Sequence, residues 1–440
     1  MSISASYTRA AGHSEVLRCS MRRAMLRRLP LATVNPSMSG AEEVRDNTPW
    51  SDAHAAGLSD VPAAEISGAH TAGMPGERPV GAPGARAGDD LPLAGYTTLR
   101  LGGPATDLVV ARRPGELTAA VRAADSAGQR LLVLGGGSNL VVADEGFAGH
   151  VVRIATQGRQ YDSVGDGLVQ LTAEAGEDWD EVVADTVRLG LGGLECLSGI
   201  PGLTGATPVQ NVGAYGVEVS ELLVSVDLLD RSTGQVRTVS ADELGLTYRN
   251  SALKHSDAAV VLRVRFLLRD GGMSAPIKYA ELARALDVEP GAQVEVASAR
   301  EAVLALRRGK GMVLDPADHD TWSAGSFFTN PIVDAEDLPE VLARIAAEVG
   351  PDQRVPQYPA PGGRTKLSAA WLIERAGFAK GHPGPGGRVR LSTKHTLALT
   401  NRGAATTHDL LLLAREVRDG VRLAFGVSLA PEPVLVDCSL

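Results

Sequence analysis

Cysteine is nearly absent from this sequence, with three residues, Cys19, Cys196 and Cys438, in 440. No two are close enough for a C-x-x-C zinc or redox pair, and three cannot build a disulfide framework. A reducing compartment, the cytoplasm, is therefore expected. Positive charge is also in short supply: 43 Lys and Arg stand against 52 Asp and Glu, for a net charge of -9. Nucleic-acid phosphates are gripped by clustered Lys and Arg, so no nucleic-acid partner is expected. No run approaches the roughly eighteen apolar residues of a membrane span. The N-terminus lacks the long apolar stretch of a secretory signal, so neither membrane nor export is expected. The pattern G-x-x-x-x-G-K-[ST] is missing throughout, and with it the Lys that neutralises a triphosphate in phosphoryl transfer.

What is present suits a globular chain. Apolar residues make up 44% and charged residues 22%, and mean hydropathy is near zero. A core can be buried, and 440 residues exceed what one core usually serves, so two or more domains are expected. Residues 1–90 differ from the rest. They are rich in Ala, Gly, Ser and Pro, carry little apolar periodicity, and include the Pro/Gly-heavy stretch Met74 to Gly88. Such a composition predicts a disordered extension. From Arg9 to Arg28 there are six Arg against the single Glu15, which suits an organellar transit peptide. A start codon assigned too early, with Met38 or Met74 nearer the true start, is the favoured reading.

Folded structure is expected from Leu91. Glu116 to Ala127 has helical apolar spacing and leads into Leu131-Leu132-Val133-Leu134, short enough for a strand. Gly135-Gly136-Gly137-Ser138-Asn139-Leu140 follows at once. Glycine permits positive φ and close approach, so this order can turn backbone N–H groups toward an anion. It is no dinucleotide fingerprint, since the third glycine of G-x-G-x-x-G falls on Leu140. Glu177 to Leu189 predicts a second helix, with Trp179, Val182, Val183 and Val187 on one face. A second glycine-rich segment runs from Gly199 to Gly216. Two cradles in one domain favour a dinucleotide diphosphate. Val224, Val226 and Leu228 alternate as in a strand, and Val260 to Leu268 is an extended apolar run broken by Arg263 and Arg265. Between them Ser240 and Glu243 form a capping box. Ser298 and Glu301 form another before Lys310.

Polar residues then occur where a plain core would not want them. Tyr248-Arg249-Asn250-Ser251 is one cluster and Ser323 to Pro331 another. Ser326, between a glycine and two aromatics, is either a hydroxyl presented to a ligand or a turn serine satisfied by backbone. Arg249 alone reads as a surface ion pair. The predicted helix Thr407 to Phe425 presents Leu410, Leu413, Val417 and Val421 and stops at Gly426. A predicted strand carrying Val427, Leu429, Val434 and Val436 follows, in which Glu432 between Pro431 and Pro433 reads as an edge charge.

Taken in order, Leu134 to Asn139, Gly199 to Gly216, Tyr248 to Ser251, Ala324 to Pro331 and Pro431-Glu432 resemble the UDP-N-acetylenolpyruvoylglucosamine reductase family. The resemblance spans Leu91 to Leu440 and leaves residues 1–90 outside. It implies an α+β, FAD-binding fold of the vanillyl-alcohol-oxidase (PCMH) type with a separate α+β substrate-binding domain. The implied FAD-binding domain is 91–285, in two subdomains, about 91–152 and 153–285. The substrate domain is 286–425, and 426–440 is a strand returning to the FAD part. FAD would contact Gly135, Gly136, Gly137, Ser138, Asn139 and Leu140 in the first loop. In the second it would contact Ile200, Pro201, Gly202, Thr204, Gly205, Ala206, Val209, Gln210, Asn211 and Gly213.

The resemblance further implies that NADPH reduces FAD, which then reduces the enolpyruvyl ether of UDP-N-acetylglucosamine enolpyruvate. Arg249 is suited to the substrate carboxylate and the charge developing beside it. Ser326 resembles the family's proton donor and Glu432 its catalytic glutamate; Ala430 stands where some relatives carry a further glutamate. Tyr279 resembles a tyrosine that folds over bound nucleotide, and Lys310 a lysine on the UDP diphosphate. Tyr248, Asn330 and Tyr358 join them. Lys366 and His395 match family positions, though a helix-end lysine and a solvent-facing histidine are equally good readings. No metal is expected, and a monomer is. A flavin oxidase of the same fold and a non-catalytic sugar-nucleotide-binding protein are the alternatives.

Overall fold

The computed structural model describes residues 91–440. The expectations for 1–90, a disordered extension, a transit peptide or a late start at Met38 or Met74, lie outside the described residues. The helix Pro114–Ser126 follows from its sequence: Pro114 opens it, Glu116 accepts the N–H groups of Arg112 and Arg113 at 2.9 and 3.2 Å, and Leu117, Val121 and Ala124 are buried. It covers a four-stranded sheet ordered Leu91–Pro92, Pro104–Ala111, Phe147–Ile154, Leu131–Leu134, whose last three strands are parallel. The strand Leu131–Leu134 ends at the first glycine loop, as its apolar run predicts.

A second sheet is antiparallel, ordered Val236–Ser240, Leu223–Asp230, Ala259–Arg269, Leu168–Glu174, Arg159–Gly165. Both faces of Leu223–Asp230 are covered, so the alternation of Val224, Val226 and Leu228 understates its burial. Arg263 and Arg265, which break the next apolar run, reach Glu174 at 2.7 Å and Asp227 at 2.9 Å. Each charge is neutralised within the sheet, so the run remains one strand. In the helix Trp179–Arg188 it is Thr186, not Val187, that continues the buried face, its hydroxyl satisfied by the Val183 carbonyl at 2.8 Å. Of the Ser240–Glu243 box the glutamate half forms, accepting the Ser240 N–H at 3.0 Å, while the serine hydroxyl donates to the same carboxylate at 3.0 Å instead of capping the turn.

The helix Val296–Gly309 starts two residues before Ser298, with Glu295 at its cap, so the predicted Ser298–Glu301 box is not what begins it. Its Ala299 and Val303 pack into the same core as Trp179 and Phe266. We therefore propose that the substrate part begins beyond this helix, after Gly309, rather than at 286. A second core gathers Phe327, Phe328, Leu367, Leu372 and Leu391 around the inner face of the helix Thr407–Phe425. The three-stranded sheet Ile332–Val333, Arg364–Leu367, Gln357–Ala360 and the hairpin Val389–Leu391/Leu399–Asn401 complete that part.

The helix Thr407–Phe425 opens on a capping box: Thr406 accepts from the Asp409 N–H at 3.1 Å, and Asp409 accepts from the Thr406 N–H at 3.1 Å. The Arg388 guanidinium grips the same carboxylate at 2.5 and 2.8 Å, and with these bonds holds its pKa at about 2. A carboxyl depressed on folding adds stability above its ordinary pKa near 4 and loses it as pH falls toward 2. Asp409→Asn is expected to cost about 1–2 kcal/mol at neutral pH. It should also flatten the acid-side loss between about pH 4 and pH 2. Thermal melts of both proteins across that range check this; parallel curves would refute it.

After Gly426, left-handed at φ 74°, the chain was expected to run as one strand. Only Val434–Val436 does, parallel to Leu140–Val142. Pro431 and Pro433 carry no N–H, so the ladder is broken there. What remains is the Glu432 N–H, donated to Phe327 at 2.9 Å, and the Thr329 N–H, donated to Ala430 at 3.1 Å. This C-terminal segment thereby laces the Ser326 loop to the strand that leaves the first glycine loop. Among the described residues no helix is long and apolar enough to cross a membrane.

Candidate active site

The two glycine loops meet backbone to backbone. A Cβ on Gly136 would stand 2.7 Å from the Gly202 Cα, and one on Gly202 would stand 2.7 Å from the Ser138 hydroxyl oxygen. Gly137 is left-handed at φ 61° against the Tyr96 carbonyl, and Gly205 has no room for a side chain beside Ala175. The Asn139 amide donates to Gln210 at 2.7 Å and ties the loops together. The second loop is pinned at its entry by the Gly199 N–H on Asp180 at 2.6 Å and by the buried Arg307 guanidinium, 3.3 Å from the Gly199 carbonyl. Burial pushes the Arg307 pKa down to about 10.

Among the described residues the N–H groups of Gly136, Gly137, Ser138, Ile200, Gly202 and Gln210 find no protein acceptor. Backbone donors left free in two facing loops can cradle an anion. With no lysine in either loop, they suit the diphosphate of a dinucleotide such as FAD. Leu140, at the start of its strand, and Pro201, Thr204, Ala206 and Val209 frame the same junction.

Arg249 sits at the second corner of a tight turn closed by Thr247 N–H to Asn250 O at 3.0 Å and Asn250 N–H to Thr247 O at 3.1 Å. Its φ is 53°, and Asn211 and Tyr215 nearby are left-handed too, at 46° and 51°. Such conformations are uncommon without glycine and gather at functional sites. The guanidinium donates to Gly213 at 2.6 Å and Asn211 at 3.4 Å, and its Nε lies 3.4 Å from Glu432 Oε1. Arg249 is therefore no surface ion pair, and Glu432 is no edge charge, with its side chain only 14% exposed. Burial pushes the Glu432 carboxyl up, while Arg249 and then Lys254 pull it back.

Glu432 leads directly to Ser326, because its N–H is bonded to the neighbouring Phe327. The Ser326 Oγ is 3.5 Å from His395 Nε2, so it is not a turn serine satisfied by backbone. His395 is not solvent-facing: burial, then the charges of Lys310 and Lys380, push its pKa down to about 4. The ring is neutral at physiological pH. His395, Lys310, Lys380, Lys394 and Glu281 line a cleft of about 550 Å³. Lys310 pairs with Glu281 at 2.5 Å and lies 5.8 Å from the Tyr215 ring, which meets Tyr279 edge-on at 5.5 Å. Burial pushes the Tyr215 phenol up to about 12.

Tyr248, Tyr358, Lys366 and Asn330 form a second group. Lys366 is on the strand Arg364–Leu367 rather than at a helix end, and its ammonium is 4.0 Å from the Tyr248 ring and 6.0 Å from that of Tyr358. Asn330 Oδ1 accepts the Ala369 N–H at 2.9 Å. Burial raises the Tyr248 phenol. Sequence reasoning assigned no role to Tyr215 or Lys254. Tyr215 stands in the quoted glycine segment, but nothing local announces its backbone twist. Lys254 comes five residues after Arg249 with no motif around it.

Residues 106–240 match the family described as FAD binding domain, and residues 315–436 that described as UDP-N-acetylenolpyruvoylglucosamine reductase, C-terminal domain. The chain is 81% identical over 348 residues to the UDP-N-acetylenolpyruvoylglucosamine reductase of Saccharopolyspora erythraea, covering 79% of this chain and 95% of that one. The enzyme of that name from Nocardia farcinica is 60% identical over 348 residues, covering 79% and 89%. The crystal structure of UDP-N-acetylenolpyruvylglucosamine reductase from Thermus caldophilus superimposes with a TM-score of 0.52 at 26% identity, over 79% of this chain and 97% of that one.

Proposed function

The chain belongs to the UDP-N-acetylenolpyruvoylglucosamine reductase family, and on that premise we propose that Arg249, Ser326 and Glu432 carry its chemistry beside the paired glycine loops. The protein is an FAD-dependent oxidoreductase of peptidoglycan precursor synthesis. It uses NADPH to reduce the enolpyruvyl group of UDP-N-acetylglucosamine enolpyruvate to UDP-N-acetylmuramate. FAD held between the loops would supply the hydride chemistry that couples NADPH to the enolpyruvyl group.

The loops around Gly135 to Leu140 and Ile200 to Gly213 would hold the FAD diphosphate on their free N–H groups. Arg249, steadied by the Gly213 and Asn211 carbonyls, would take the substrate carboxylate with its planar fork. Charge that develops on the adjacent carbon then falls within reach of the same cation. Once the substrate occupies Arg249, Glu432 loses its ion-pair partner in a site that already raises its pKa. Glu432 would then polarise the enolate or a water beside it. Ser326 would donate the proton, oriented by the neutral His395 ring 3.5 Å away. A hydroxyl is a weak acid, so its partner must be a strongly basic carbon in a dry site.

Lys310, Tyr279 and His395 on one side and Tyr248, Asn330, Tyr358 and Lys366 on the other would grip the sugar nucleotide. We also propose a monomer, and a cytoplasmic location, which the free Cys196 and Cys438 support. The observation that carries the catalytic assignment is the chain of contacts Arg249, Glu432, Phe327, Ser326 alongside the two loops. Purified protein should be yellow and should oxidise NADPH only when the enolpyruvyl sugar nucleotide is supplied. Steady oxygen consumption with NADPH alone would mark a flavin oxidase instead. Colourless protein that binds UDP sugars would mark a non-catalytic binder.

A further inference from the structure

We propose that Lys254 is a positioning residue for the carbanion-stabilising pair, holding the Arg249 turn through the Arg249 carbonyl and placing an ammonium in the field of Glu432. The inference rests on the assignment of Arg249 and Glu432 above. Its starting point is the left-handed backbone of Arg249, φ 53°, at a turn corner where glycine is usual. An arginine there needs an outside hold. The Lys254 Nζ supplies one, donating to the Arg249 carbonyl at 2.9 Å. The lysine is delivered by a bend that Ser251 sets: its hydroxyl donates to Val209 at 2.6 Å and accepts the Leu253 N–H at 3.1 Å, while the Ala252 N–H is bonded to Leu244 at 2.9 Å. The same bend therefore fixes Lys254 against Arg249 and ties both to the second glycine loop through Val209.

The second half of the inference is electrostatic. Lys254 is partly buried, yet among the described residues it has no carboxylate within ion-pairing distance. A lysine that gives up water without a counter-ion does little for stability. Burial lowers the Lys254 pKa and raises that of Glu432, and each group partly offsets the other's shift, Glu432 pulling the lysine back up and Lys254, after Arg249, pulling the carboxyl back down. The charged and titratable groups that face Glu432 are Arg249, Lys254 and the Tyr248 phenol. When a substrate carboxylate occupies Arg249, Lys254 is the cation left to govern the proton on Glu432.

The test uses full-length, flavin-loaded protein, reduced with NADPH and mixed rapidly with the enolpyruvyl sugar nucleotide across pH. In the natural protein this second half-reaction should slow as pH rises through the Glu432 pKa, a limb that Glu432→Gln removes. Lys254→Met should slow the step at least about tenfold and move that limb up by about one pH unit. Lys254→Arg should restore both. Lys254→Gln keeps a donor for the Arg249 carbonyl without the charge, so it should recover most of the rate and still show the shifted limb. It also serves as the readout should the methionine variant fold poorly. An unmoved limb in Lys254→Met and Lys254→Gln, with the limb abolished in Glu432→Gln, overturns the role of Lys254 alone. A limb that persists in Glu432→Gln overturns it together with the Glu432 assignment.

Discussion

Replacing Ser326 with alanine should leave flavin bleaching by NADPH near its natural rate and slow the return of colour on adding the enolpyruvyl sugar nucleotide about 10²- to 10⁴-fold. The substitution is clean because the backbone is held without the hydroxyl. Gly325 turns at φ 74°, the Phe327 N–H is bonded to Leu397 at 2.7 Å, and Phe327 and Phe328 are buried edge to face in the second core. Only the proposed proton donor is lost. His395 carries no imidazolium proton above about pH 4 with which to take over the step. Stopped-flow absorbance at the flavin bands separates the two half-reactions. Normal rates in both would mean that the acid lies elsewhere.

The second large effect is expected at the junction of the loops. Gly136→Val would set a Cβ 2.7 Å from the Gly202 Cα and 3.1 Å from its carbonyl carbon, backbone against backbone, with no flexible side chain to give way. The loops must part, the Asn139–Gln210 bond goes with them, and the free N–H groups of both sides no longer converge. Purified Gly136→Val protein should fold, because Gly136 and Gly202 contribute no side chain to either main core, yet lack the flavin absorbance. Its affinity for added FAD should fall at least about 100-fold. Circular dichroism together with a flavin titration checks both statements, and a yellow variant with unchanged affinity would refute the shared cradle.

The elements that sequence periodicity reads well are those whose stabilisation is local. Pro114–Ser126 and Thr407–Phe425 carry their caps, buried stripes and terminating glycines within a few residues. The glycine loops were equally legible as places where a side chain is unwelcome. The failures were also physical. Ser298 and Glu301 have the spacing of a box, but Val296 is already buried, its N–H bonded to Gly272 at 3.0 Å, and the helix starts there. Val427 to Val436 alternates like one strand, but two prolines remove the donors that would continue its ladder.

Composition by itself determined a globular chain of more than one domain, and motif order, through its resemblance to a family, the class of flavin reductase. Tertiary structure alone decided that Gly136 faces Gly202, that Arg249 meets Glu432 at 3.4 Å, that the backbone beside Ser326 holds Glu432, and that Lys254 closes on the Arg249 turn. The reason is range. Caps, stripes and glycine turns are written within one or two turns of chain, whereas these contacts join residues far apart in sequence, and even the Arg249 to Lys254 loop depends on Val209 and Leu244 to set its shape.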